Sequence, residues 1–512
     1  MPLEWGRALF VWAIRSCGSS CGRPLETARA SGSSIKSRQD AVRFDTAYRQ
    51  SEAMSAANGK GVQNGEPMAD STRRADIGLV AALSIGVGGM IGAGIFSILG
   101  VVARISGSAM PLSFAIGGVV AGLAAYSYVA LGKTFPSVGG AVTFLVRGYG
   151  EGVAAGSLNL FQYFSYVITI ALYATGFATY AVTFVRLPSK LWAVGVVLAF
   201  TAINFLGSRF MGRAESVIVI IKVAILIVFV VAAFAALTGK GVGRLSPASW
   251  PGPLGIFTGA GVLFVGYEGF GLITNAAANM ATPKRELPRA IYGSVAIVIV
   301  IYLLVAGGVV TNVPLNVLKG LGNSALAVAA KPSLGGVGFK LIAIAALLST
   351  ASAVNATLFG STNIAYQIAK NGGLPPAFDR KLWGRDVEGL FITSGLVLTF
   401  VLIFPLRAVA SMGSAGFLLV YSAVNIGHMR IRRQTGAKAW PVVASAITCF
   451  SLFVVLFYNM IATAPTSAIA LGVTLAGSVV FEIVYRRTTG RTFRESLTQT
   501  EPIRAPAPPT AQ

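Results

Sequence analysis

The sequence predicts an all-α, polytopic membrane protein with twelve transmembrane helices. The 512-residue chain is 54% hydrophobic and only 12% charged, about half the charged fraction of soluble domains. From residue 77 to 485, apolar stretches recur, each long enough for a hydrocarbon core of ~30 Å. Basic residues concentrate in alternate loops between them, as in multi-span proteins. The formal charge of +23 therefore suits anionic lipid headgroups and argues against nucleic acid as a partner.

Residues 1–76 are rich in Ser, Gly, Ala and Arg and poor in large apolar residues. They are expected to form a disordered N-terminal tail. Ala8–Ile14 is too short for a signal-peptide core, and Arg15 ends it. Met54 and Met68 offer internal starts. The twelve spans are placed at about 77–102, 110–131, 154–181, 189–207, 216–238, 254–280, 290–312, 341–367, 389–405, 407–427, 441–461 and 465–485. Only Pro405–Arg407 marks a turn between the ninth and the tenth. Residues 486–512 read as a second disordered tail, leaving 77–485 as the twelve-helix domain.

One set of loops holds fifteen Lys and Arg residues, the other nine, and the two tails add sixteen to the richer side. Positive residues stay inside, so both termini are expected in the cytoplasm. Trp192 and Trp250 then flank the outer face, and Trp383 and Trp440 the inner, as in an aromatic belt.

Chemistry-bearing residues are few. Cys17, Cys21 and Cys449 show no metal or disulfide spacing, and His428 is the one histidine. No catalytic centre, metal or cofactor is therefore expected. Lys222 and Glu268 are the ionisable residues deepest within predicted spans, and such a charge is by default a candidate for function. Lys222 can snorkel to an interface or exchange a proton at depth; its ammonium can also fill the place of a sodium ion. Glu268 can tie down unwound backbone or act as a protonatable or substrate-facing carboxylate.

Two spans are rich in glycine at matching places. The first carries Gly86, Gly88, Gly89, Gly92 and Gly94, and the sixth carries Gly266, Gly269 and Gly271. Each opens a run of five spans, and paired interrupted helices point to a transporter's substrate site. An interruption at Met90-Ile91-Gly92-Ala93-Gly94 would offer free N–H groups to a carboxylate. Carbonyls near Met90, Val265 and Tyr267 would accept from an ammonium group. A zwitterion fits that arrangement. The competing reading is that the glycines serve only close helix packing.

Five stretches resemble the amino acid–polyamine–organocation (APC) transporter superfamily: GMIGAGIF at 89–96, FPSVGGAVTFLVRGYG at 135–150, ESVIVIIKVAILIVF at 215–229, GYEGFGLITNAAANMATPKRELPRAIYGS at 266–294 and AYQIAKNGGLPPAFDRK at 365–381. The resemblance implies a leucine-transporter-type fold, a five-plus-five inverted repeat with two further C-terminal helices. It also implies that backbone N–H groups of Gly92, Ala93 and Gly94 hold a substrate carboxylate, and carbonyls of Met90, Val265 and Glu268 its amino group. By the same resemblance, Lys222 replaces sodium in proton-coupled members, with Ser349 and Ser352 near it. Gly271, Asn279, Ala130 and Val142 depart from the family pattern. Val265 stands where cation-exchanging relatives carry tryptophan; losing that π face favours a neutral substrate.

These readings converge on an amino acid permease of the inner membrane, working by alternating access, coupled to protons and independent of sodium. Its partners would be amino acids, protons and the lipid bilayer. An amino acid/polyamine exchanger and a transport-dead scaffold or nutrient sensor are the alternatives.

Overall fold

In the computed structural model, the described residues are 77–489 apart from 138, 207–210, 281, 315, 318–323, 371 and 379–387. The expected N-terminal tail, most of the C-terminal tail and Trp383 lie outside them. Among the described residues the regular structure is helical throughout: α1 Leu79–Ser106, α2 Met110–Thr134, α3 Ala141–Tyr149, α4 Val153–Ala181, α5 Ser189–Leu206, α6 Met211–Ala235, α7 Pro253–Leu263, α8 Phe270–Asn275, α9 Pro283–Asn312, α10 Ala325–Lys370, α11 Glu388–Ile403, α12 Leu406–Thr435, α13 Ala439–Thr463 and α14 Pro465–Thr489. Short 3-10 and α turns connect some of them.

Among the described residues, ten stretches are long and apolar enough to cross a membrane. The first, Leu79–Thr134, contains both α1 and α2, while the apolar α11 falls in a shorter class. This is an integral, multi-pass membrane protein.

Proline and glycine set the ends. Proline opens α2, α7 and α9 in the first turn, where its missing N–H costs no helical hydrogen bond. Gly107 turns the chain from α1 towards α2 at φ 52°, a conformation an L side chain rarely adopts. Gly335, at φ 64°, kinks α10, so the eighth predicted span is the longer arm of a 46-residue element. The predicted turn at Pro405 separates α11 from α12. α14 runs past the expected boundary at 485 to Thr489. Arg486 carries that extra turn, pairing at 2.5 Å with Glu482 one turn back and donating to Glu151 O at 2.6 Å.

The packing has an inside and an apolar outside. α1 is held by α9, α10, α7 and α8, and its apolar side chains Met90, Ile91, Phe96, Leu99 and Val102 are buried. α5, α6, α13 and α14 lie at the periphery. Ile220, Val231, Ile447 and Val473 are each at least 60% exposed, as expected of a surface whose solvent is lipid. Trp440 is exposed at the start of α13, and Trp192 and Trp250 donate to the carbonyls of Val185 and Leu245 near helix ends.

Candidate functional site

The sixth predicted span is interrupted. α7 ends at Leu263; Phe264–Gly266 form a 3-10 turn, Tyr267–Gly269 a further turn, and α8 begins at Phe270. Interrupting a buried helix frees backbone polar groups that cost free energy unless paired. Side chains from other helices pair them here. Val265 N–H donates to Ser414 Oγ at 2.8 Å, and that hydroxyl donates to Val262 O at 2.6 Å. Tyr302 OH donates to Gly266 O at 3.2 Å, and Tyr421 OH to Glu268 O at 3.1 Å. Tyr267 fixes its own ring by donating to Phe114 O at 3.0 Å.

The first span differs from expectation. α1 is one helix from Leu79 to Ser106, continuous through Met90-Ile91-Gly92-Ala93-Gly94, so the expected pair of half-helices is not seen. Its glycines make a close backbone seam with the sixth span instead. A Cβ on Gly94 would stand 2.7 Å from Gly266 Cα and 2.2 Å from Tyr302 OH. A Cβ on Gly269 would stand 2.4 Å from Met90 N, and one on Gly92 would meet Ala353 Cβ at 2.8 Å. Absence of side chains lets two backbones touch while each keeps its local hydrogen bonding. Two of the carbonyls expected to face an ammonium group already have donors: Met90 O accepts from Tyr302 OH at 2.6 Å, and Val265 O from Glu268 N at 3.4 Å.

α1 also accepts hydrogen bonds on its opposite side. Lys222, fully buried on α6, donates a hydrogen bond to Gly88 O at 2.9 Å. Ser349 on α10 donates to Ile91 O at 3.1 Å. With Met90 O, three carbonyls within one turn of α1 receive side chains from three helices, α6, α9 and α10. Ser352 lies on the same face of α10, but its hydroxyl donates to Glu215 Oε2 at 2.5 Å. Lys222, Ser349 and Ser352 thus gather beside the first helix, each on a different acceptor.

Sequence reasoning missed Glu215, which lies one residue before the span predicted at 216–238. Its signal was the seven-residue spacing to Lys222, which puts both on one face of a helix. Glu268 is buried, with Oε1 unpaired, and Tyr128, Tyr166, Tyr173 and Tyr421 lie around it. Edge-on contacts between Tyr128 and both Phe270 and Tyr421 line this neighbourhood. An apolar cavity of about 380 Å³ between α4, α11 and α14 shares no residue with the seam.

The sequence pattern of the amino acid permease family matches residues 77–481. An uncharacterised protein of Methanocaldococcus jannaschii is 40% identical over 427 residues, 82% of this chain and 98% of the relative. The inner membrane transport protein YbaT of Escherichia coli is 32% identical over 417 residues, 80% of this chain and 96% of its own. The branched-chain amino acid permease BcaP of Lactococcus lactis is 26% identical over 383 residues, covering 69% and 81%. The two named relatives are transporters rather than enzymes, and the family match spans the interrupted helix and the Lys222 cluster alike. With its interrupted helix packed on a glycine-bearing partner inside an apolar bundle, the chain belongs to the amino acid permease family of membrane transporters.

Proposed function

We propose that this permease carries neutral α-amino acids across the inner membrane by alternating access, driven by protons and independent of sodium. The observation that carries the reading is Lys222: a fully buried ammonium that donates a hydrogen bond to a backbone carbonyl of α1. A cation at that place ties α6 to α1 without a bound metal ion. A charge buried at span depth is costly, and its default explanation is function. Ser349 and Ser352 complete the proposed coupling group.

The substrate's place in this proposal is the seam between α1 and the interrupted span. Backbone N–H groups of Gly92, Ala93 and Gly94 receive the carboxylate; carbonyls of Met90, Val265 and Glu268 receive the amino group, with Ile91 and Tyr267 alongside. Because α1 and the Gly266–Gly269 turn touch in this structure, binding requires them to part. The proposed motion therefore opens that seam. Val265 at the centre offers a small apolar wall, which supports a neutral side chain; BcaP, by its name, carries branched-chain amino acids. The proposal includes a twelve-helix, five-plus-five architecture with two C-terminal helices. Both termini face the cytoplasm, on the strength of the loop charges.

The test is uptake of a panel of radiolabelled amino acids and amines into proteoliposomes, with imposed proton or sodium gradients. Saturable uptake of neutral amino acids, rising as external pH falls and indifferent to sodium, is expected. Amino acid methyl esters, which lack the carboxylate, are expected to compete poorly. Equal competition by esters and free acids overturns the carboxylate assignment; preference for amines favours the exchanger.

A further inference from the structure

Glu215 has no part in the proposed substrate seam, yet it is built into the same place as Lys222. The two stand seven residues apart on α6, two turns along one face, about 10 Å of rise. Their side chains converge on Gly88 of α1. Lys222 Nζ donates to Gly88 O at 2.9 Å. Glu215 Oε1 lies 2.8 Å from the position a Cβ on Gly88 would take. The other oxygen, Oε2, accepts from Ser352 Oγ of α10 at 2.5 Å. Ser352 thereby fixes the carboxylate's rotation and leaves Oε1 towards α1. Glu215 is also the acidic group whose charge acts on Lys222.

The two residues differ in access. Lys222 is fully buried, whereas Glu215 is partly exposed, near the start of α6. That end belongs to the side assigned to the cytoplasm. A proton leaving Lys222 for that side needs a carrier, because the amine itself reaches no water. The packed elements leave few competitors. α1 brings one charged residue, Arg104, at its far end. α9 brings Lys284, Arg285, Glu286 and Arg289 in its first two turns, with Tyr292 and Tyr302 beyond; Tyr302 OH is committed to Met90 and Gly266. α10 brings Lys331 and Lys340 towards the opposite side, and Tyr366 and Lys370 near its end.

We propose that Glu215 is the relay through which Lys222 exchanges its proton with the cytoplasm, with Ser352 as its positioning residue. The inference rests on the proton-coupled reading of Lys222. The Glu215 carboxylate takes a proton from the Lys222 ammonium through one water, giving a neutral amine and a carboxylic acid. The acid then releases that proton to cytoplasmic water and returns to carboxylate. A general acid–base group of this kind contributes about 100-fold or more to a proton-transfer rate.

The full-length protein is reconstituted with a pH-sensitive dye inside the vesicles and assayed with radiolabelled L-alanine, L-serine and L-leucine. Two readings are taken: accumulation under an inward proton gradient, and gradient-free counterflow. Glu215→Gln should lose accumulation and slow substrate-linked acidification about 100-fold while keeping counterflow. Glu215→Asp should restore accumulation at a reduced rate, and Ser352→Ala should slow acidification. Wild-type accumulation and acidification in Glu215→Gln would overturn the relay. Equal loss of both readings in Glu215→Gln and Glu215→Asp would overturn it too, showing a residue that only holds the helices together. Wild-type accumulation that ignores an imposed proton gradient overturns the proton-coupled reading itself, and the relay with it.

Discussion

Replacing Gly269 by alanine tests the closeness of the seam between α1 and the interrupted span. Gly269 sits at φ −54°, ψ −19°, where alanine is at ease, so backbone conformation adds no penalty. The cost is all contact. The new Cβ would stand 2.4 Å from Met90 N, 2.6 Å from Gly89 C and 3.0 Å from Gly89 Cα, against about 3.5–4.0 Å for a comfortable contact. The obstacle is backbone on one side and a backbone-fixed Cβ on the other, so no rotamer relieves it. The helices must part by about 1 Å. Overpacking costs about 1–3 kcal/mol where side chains can adjust; here, where they cannot, about 3 kcal/mol is expected. That is about two orders of magnitude in the folding equilibrium. Gly360→Ala provides the comparison, because its nearest neighbour, Leu272 Cδ2, is 3.7 Å away. Gly88→Ala should fall between them, since its obstacles are the side chains of Glu215 and Val219. Equilibrium unfolding of the purified variants in mixed detergent micelles measures the series. Gly269→Ala as stable as Gly360→Ala would refute the seam.

Lys222→Met keeps the side-chain length and removes the charge; it should lose proton-driven accumulation and pH dependence while still reaching the membrane, and Lys222→Arg should not rescue it, because arginine stays protonated. Unchanged proton-driven uptake by Lys222→Met in proteoliposomes would reduce this lysine to a structural tie. Tyr302→Phe removes the hydroxyl shared by Met90 O and Gly266 O and should cost about 0.5–1.5 kcal/mol, read by the same unfolding assay. A chain beginning at Met68 should fold and transport normally, since residues 1–67 carry no periodic apolar face; loss of uptake at normal membrane levels would show that this segment works. Substrate uptake by Gly94→Val, whose Cβ would meet Gly266 backbone at 2.7 Å, should vanish together with stability rather than alone, as thermal melting of the same preparation will show.

The interrupted sixth span was legible because glycine, a buried acid and the family-like GYEGFG stretch coincide there. The first span was not, because glycine has two uses in a membrane helix, unwinding and close packing, and its local sequence is the same for both. What decides between them is the residue opposite. Gly266 and Gly269, some 170 residues away in the chain, accept the backbone of α1 against their own, and α1 stays helical. Lys222 stood out as a charge among apolar residues, but its acceptor could not be read from α6. Ser349 and Ser352 donate to Ile91 O and to Glu215, partners that the sequence of α10 did not name.

The sequence by itself determined that this chain spans a membrane many times, because each crossing must carry its own run of apolar residues through hydrocarbon and satisfy its own backbone. It also determined the family and the placing of the deep lysine and carboxylate. Those are local properties, written within single helices. Only the tertiary structure decided which carbonyls of α1 are occupied, that the glycines form a seam, and that Glu215 joins Ser352 from 137 residues away. Hydrogen bonds and backbone contacts between helices depend on how the helices are rotated and spaced, and one helix's sequence fixes neither without its neighbours.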